Sequence, residues 1–103
     1  MKHKLNKPVV CADGFKMSVQ ASETAYCTPR ITGAERYTSV EVGFPNRVEP
    51  LILPYAEEPE TPCDTVYPRT PSELVTLVIV KHGGMVEGEV PNGVVPLPAE
   101  KND

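Results

Sequence analysis

The stretch TPSELVTLVIVKHGG, Thr70 to Gly84, decides the fold class. Four of its residues, Val75, Val78, Ile79 and Val80, are β-branched and suit a strand by propensity alone. Its two ends argue for a helix instead. Thr70-Pro71-Ser72-Glu73 reads as a capping box, with Thr70 at the N-cap, Pro71 at the first helical position and Glu73 reaching back. At the other end, Gly83-Gly84 supplies a left-handed cap, and Lys81 and His82 place cations where the helix dipole favours them. Between the caps, Leu74, Val75, Val78 and Ile79 form a one-sided apolar stripe. A helix over about 71–82 is expected, buried along that stripe.

Working outward, the rest of the chain alternates as strands do. Pro8 to Cys11 is a short apolar run, and Asp13-Gly14 is a hairpin signal, with glycine accepting the positive φ of a type I′ turn. Phe15, Met17 and Val19 then alternate with Lys16, Ser18 and Gln20, which predicts a half-buried strand and a hairpin of 8–11 with 15–20. Tyr37 to Phe44 (YTSVEVGF) is a further strand, with Thr38, Val40, Val42 and Phe44 on one face. Tyr37, Ser39, Glu41 and Gly43 take the other, and Pro45 ends the run. Val48 to Tyr55 carries two prolines and suits an edge strand or an extended packed segment, while Thr65 to Tyr67 suits a short strand. Asn92-Gly93 marks another turn.

Composition agrees with this pattern. Twelve prolines among 103 residues are about twice the usual share, which excludes a helical bundle because each interior proline costs a helix about 3 kcal/mol. The fold expected is therefore α+β: a small, mostly antiparallel sheet with one helix packed on it. Residues 1–7 read as a frayed N-terminus, 8–95 as the single domain and 96–103 as a flexible tail. At this length stability is a few kcal/mol, which self-association would help.

The net charge of −4 argues against direct nucleic-acid binding. It is unevenly placed, since residues 1–36 carry six basic and three acidic groups and the remainder four and eleven. Apolar runs such as Leu77 to Val80 reach only four residues, far below the ~20 residues that span a bilayer. Met1 to Pro8 has lysines with no apolar run behind them, so no signal peptide is read there. Cys11, Cys27 and Cys63 form no CxxC pair, and His3 and His82 stand alone, so no metal site or cofactor is predicted. The odd cysteine count allows one disulfide and a spare thiol, or three reduced thiols as a cytosolic protein would keep them.

Candidate functional residues fall in two groups, neither of them catalytic. Glu57, Glu58, Glu60 and Asp64 crowd one proline-containing loop, read as exposed and stiffened toward polyproline II, without the spacing of a calcium loop. That loop would present phosphate-like charge to a basic groove on a partner. Tyr26, Cys27, Arg30 and Tyr37 form the second group, a pocket suited to an anionic ligand such as a nucleotide because arginine pairs bidentately with phosphate. Cys27 with His82 is the one thiol–imidazole combination available, and nothing near Cys27 activates it, so it reads as a packed thiol.

Several stretches taken together carry a resemblance: DGFKMSVQASETAYCTPR (Asp13 to Arg30), YTSVEVGFPN (Tyr37 to Asn46), EPLILPYAE (Glu49 to Glu57) and TVYPRTPSELV with KHGG (Thr65 to Gly84). They resemble small accessory proteins encoded in phages and prophages, over about residues 8–84. The C-terminal tail lies outside the likeness, the acidic EEPETPCD loop reads as this chain's own elaboration, and the likeness carries over no catalytic residue. The resemblance implies a non-enzymatic product in the cytoplasm of an infected bacterial host. Proteins of that kind inhibit a host protein or a defence complex that processes nucleic acid, as anti-CRISPR proteins do; this step is analogy. The alternatives are a small anionic-ligand binder or minor enzyme, and a structural subunit of a phage assembly.

Overall fold

A computed structural model describes residues 4–100. Five strands form one sheet: β1 (Val9–Cys11), β2 (Lys16–Gln20), β3 (Ser39–Gly43), β4 (Val66–Pro71) and β5 (Met85–Glu87), in the order β4-β3-β2-β1-β5. Every strand pairs antiparallel with its neighbours. Among the described residues one α-helix, α1 (Ser72–Lys81), leaves the β4 edge and returns the chain to the β5 edge. This is the small α+β architecture expected.

Register explains the core. Val9 stands opposite Met17, Val19 opposite Val42, and Val42 opposite Tyr67, so one sheet face carries a cross-strand apolar row. All five are fully buried, together with Val75, Val78 and Ile79 of α1. The opposite face is the polar half of the same alternation, with Lys16, Ser18, Gln20 and Glu41 partly or fully exposed. Among the described residues no helix is long and apolar enough to cross a membrane.

The hairpin forms where Asp13-Gly14 places it, with a different turn. Cys11 N–H bonds to the Phe15 carbonyl at 2.8 Å and Gly14 N–H to the Cys11 carbonyl at 2.9 Å, and Gly14 takes φ +90° while Asp13 stays at negative φ. That is a three-residue loop closing on a left-handed glycine in place of a type I′ turn. Asp13 Oδ1 accepts the Phe15 N–H at 2.9 Å, which holds the loop in this form.

The helix is present without its capping box. Pro71 is the N-cap and no side chain caps it. Thr70 is still in the ladder opposite Val40, fully buried, and its hydroxyl donates to the Tyr67 carbonyl at 2.9 Å. Because β4 runs straight into α1, neighbouring backbone replaces the cap: Ser72 N–H donates to the Thr38 carbonyl at 3.0 Å and Ser72 Oγ to the Tyr37 carbonyl at 2.7 Å. The C-terminus follows expectation. Gly83 N–H donates to Val80 and Gly84 N–H to Ile79, the paired bonds of a Schellman motif.

Three further expectations change. Phe44, placed in the core by alternation, is 58 % exposed at φ +49°, because the strand has already ended and the chain turns there. Tyr37, placed outward, is buried, its hydroxyl donating to Ile31 at 2.6 Å and accepting from Ala34 N–H at 3.2 Å. The 48–55 segment contains turns and a short 3-10 helix, Leu53–Tyr55, instead of extended chain, and buries Ile52. The fourth strand runs through Pro68 to Pro71, which an edge position tolerates because no partner needs their missing N–H groups.

At the ends, Asn6 N–H donates to Gln20 Oε1 at 2.9 Å and Lys7 N–H to Glu89 Oε1 at 2.8 Å, within the segment read as frayed. In the stretch read as a tail, Met85 N–H donates to Leu97 at 2.7 Å and Ala99 N–H to Met85 at 3.0 Å. Residues 1–3 and 101–103 of those segments, His3 included, lie outside the described residues. The Asn92-Gly93 turn forms, and Gly93 at φ +111° passes so near Tyr37 that a Cβ would overlap the Tyr37 carbonyl oxygen.

Candidate functional site

Glu57, Glu58, Glu60 and Asp64 are all exposed, and no hydrogen bond or ion pair among the described residues engages their carboxylates. Their backbone is tied down. Glu57 N–H donates to Val66, Glu58 N–H to Thr65 Oγ1, Thr61 N–H to Glu58 and Asp64 N–H to Thr61, all at 2.9–3.0 Å. The loop is thus a run of hydrogen-bonded turns on the start of β4, not polyproline II, because Thr61 and Thr65 offer local partners that the extended form leaves unused. Beneath it, the Tyr67 hydroxyl donates to the Pro62 carbonyl. Burial first, and the neighbouring Cys63 sulfur second, push the Tyr67 hydroxyl above its ordinary pKa.

The second predicted group is split by the fold. Cys27 is buried, with its thiol directed at the carbonyls of Ser22 (3.3 Å) and Pro29 (3.4 Å), and Tyr37 is committed to the 31–34 loop. Only Tyr26 and Arg30 remain at the surface together, the guanidinium carbon 4.8 Å from the ring centroid. Arg69 joins them from β4, 5.8 Å from the same ring. The four predicted residues therefore do not share one exposed surface, Cys27 and Tyr37 being buried and Tyr26 and Arg30 exposed. The three cysteines are free thiols, and Cys27 and His82 have separate partners. Cys11 is buried beneath Asp13, and burial and then that carboxylate push its thiol up to about 11, far from a reactive thiolate.

The structure also assembles a charge cluster that spacing did not suggest. His82, at the end of α1, lies between two carboxylates: Nδ1 is 2.6 Å from Asp13 Oδ2 and Nε2 is 2.7 Å from Glu49 Oε1. Its ring stacks on Phe15 with centroids 4.1 Å apart at 12°. Glu49, only 1 % exposed, also accepts from Lys81 Nζ at 2.9 Å and from Leu51 N–H at 2.7 Å. Arg47 completes the set, 3.1 Å from Asp13 Oδ1.

Burial raises the Glu49 carboxyl, but the Leu51 N–H, His82 and Lys81 outweigh it and leave it below the usual carboxylate range. For Asp13 desolvation pushes upward too, and hydrogen bonds from His82 and Phe15 N–H bring the net shift down. Nδ1 and Nε2 of His82 each lie within hydrogen-bond distance of a carboxylate oxygen, so neither nitrogen is open to a further partner. The cluster is therefore arranged as a clasp and not as a general base. Among the described residues, no group of three or more His, Cys, Asp or Glu is placed to hold a metal ion. Sequence reasoning had His82 as a charge partner at the helix end; Glu49 gave no signal, being one acid between Val48 and Pro50. No known protein family matches the chain, and no curated protein or solved structure matches it either.

Proposed function

We propose that this chain is a non-enzymatic accessory protein of phage origin that binds a bacterial protein through the acidic 57–64 loop and inhibits it. The phage origin rests on the sequence resemblance. One observation carries the binding mode: four exposed carboxylates are internally uncommitted, yet sit on a backbone already fixed by its own hydrogen bonds. Groups held in place before contact lose little freedom on binding, which favours association. A defence complex that processes nucleic acid fits as the target, since its grooves are built to receive a row of negative charges. The groups suited to chemistry, His82, Glu49 and Asp13, are spent on one another, which supports a binding role over an enzymatic one.

Affinity purification of the tagged chain from infected bacterial cells, with mass spectrometry of what is retained, identifies the partner. Repeating it with E57K/E58K/E60K/D64K tests the surface. Loss of the partner with an unchanged melting temperature is expected. Retention and inhibition by the quadruple variant would sink the acidic-face reading.

A further inference from the structure

We infer that Tyr26, Arg30 and Arg69 form a second binding site, for a phosphate monoester, separate from the acidic loop. Three observations meet here. The two arginines come from distant segments, yet their guanidinium carbons lie 4.8 and 5.8 Å from the centroid of one tyrosine ring that is 44 % exposed. Both arginines are exposed, and no carboxylate among the described residues lies within ion-pair distance of either. The nearby carboxylate of Glu41 accepts the Tyr26 backbone N–H at 2.8 Å.

The third observation is the backbone that delivers Arg69. Tyr67 pairs with Val42 and Thr70 with Val40, so Pro68 and Arg69 together stand opposite the single residue Glu41. This is a β-bulge, and Arg69 occupies it at φ +49°, a conformation that favours glycine over a residue with a side chain. Arg69 N–H meanwhile donates to the Tyr26 carbonyl at 2.9 Å, locking the bulge to the tyrosine. Bulges re-aim side chains, and a strained non-glycine residue at one points to a use for that side chain.

The pairing selects the ligand. A carboxylate presents one two-oxygen edge to a guanidinium fork. Two forks without carboxylate partners suit a group with more oxygens and up to two negative charges, which is a phosphate monoester. The cation–π contacts hold both guanidinium groups against one ring, and no side-chain hydrogen bond among the described residues occupies their N–H edges. A nucleotide and a phosphorylated side chain both carry such an ester, and the chemistry recognised is the same.

The test is NMR titration of the 15N-labelled chain, following the Arg30 and Arg69 Nε–Hε signals and the Tyr26 amide, with four probes: inorganic phosphate, adenosine monophosphate, phosphoserine and acetate. Saturable shifts with the three phosphate-bearing probes, at least tenfold tighter than with acetate, are expected. Tighter binding of adenosine monophosphate than of phosphoserine assigns the nucleotide source, and the reverse assigns the phosphorylated side chain. The decisive variant is Arg69→Gly. Glycine suits the bulge, so the fold is kept or strengthened while the phosphate shifts at Arg30 fall at least tenfold in affinity. Arg30→Gln should do the same without touching the bulge. Equal affinity for acetate, or phosphate binding that survives both substitutions, would overturn the site.

Discussion

The clasp around His82 and the loop from Glu57 to Asp64 are both built on carboxylates, and they use them in opposite ways. In the clasp, Asp13 from the hairpin, Glu49 from the 46–52 turn, and Lys81 and His82 from the helix end arrive from three segments, so each negative group meets a positive one. In the loop, four exposed acids fall within eight residues, and none is in an ion pair among the described residues. Like charges in succession cannot neutralise one another; they stay solvated and available to a partner. Charge here stabilises only where the fold gathers opposite signs from separate parts of the chain.

Removing Glu49 should break this contrast most severely. Glu49→Ala leaves His82 and the Leu51 N–H without their acceptor while half-exposed Lys81 turns to water, and leaving buried donors unsatisfied costs about 1–3 kcal/mol. Urea unfolding measures it. The charge reversals of the 57–64 loop should each move stability by no more than about 0.5 kcal/mol by the same measurement. A Glu49→Ala variant as stable as the parent would show that the clasp is ornamental.

Acid should separate the regions next. Asp13 and Glu49 have native pKa values below their unfolded ones, so the native state binds fewer protons. Their contribution is fully present above the unfolded carboxylate range, and is lost as pH falls through the lowered native values. Glu49→Gln and Asp13→Asn should each flatten the acid limb of a melting-temperature profile below about pH 5.

A smaller effect is expected beneath the acidic loop. Tyr67→Phe removes the hydroxyl that holds Pro62 and should cost about 1 kcal/mol, the worth of one hydrogen bond, while raising amide exchange across 58–64. Unchanged exchange would mean that the turns alone keep the loop in shape. Smallest of all, Arg69→Gly should leave stability level or raise it by up to about 1 kcal/mol, as relief of left-handed strain offsets the entropy glycine loses.

How much of this was legible in the sequence follows from the range of each interaction. Asp13-Gly14 and Gly83-Gly84 announce a turn and a helix end because both are settled by the φ of one or two residues and by bonds to near neighbours. The alternation of Phe15, Met17 and Val19 gives the buried face of β2 for the same reason. Phe44 and Tyr37 defeated the alternation at the two ends of β3, where the chain turns and periodicity no longer governs direction. Thr70 was misread because a strand that runs directly into a helix supplies its own caps from Tyr37 and Thr38, more than thirty residues away.

By itself the sequence determined the fold class, the hairpin, the helix with its C-terminal cap and an exposed acidic loop. Each depends on steric limits, periodicity or local hydrogen bonds that neighbouring residues already contain. Only the tertiary structure decided which charges meet. His82 and Asp13 are 69 residues apart in the chain and 2.6 Å apart in space, and Arg69 finds Tyr26 through a bulge. Coulomb and hydrogen-bond energies depend on distance in space, and that distance is set by sheet order and the helix that crosses from one edge to the other.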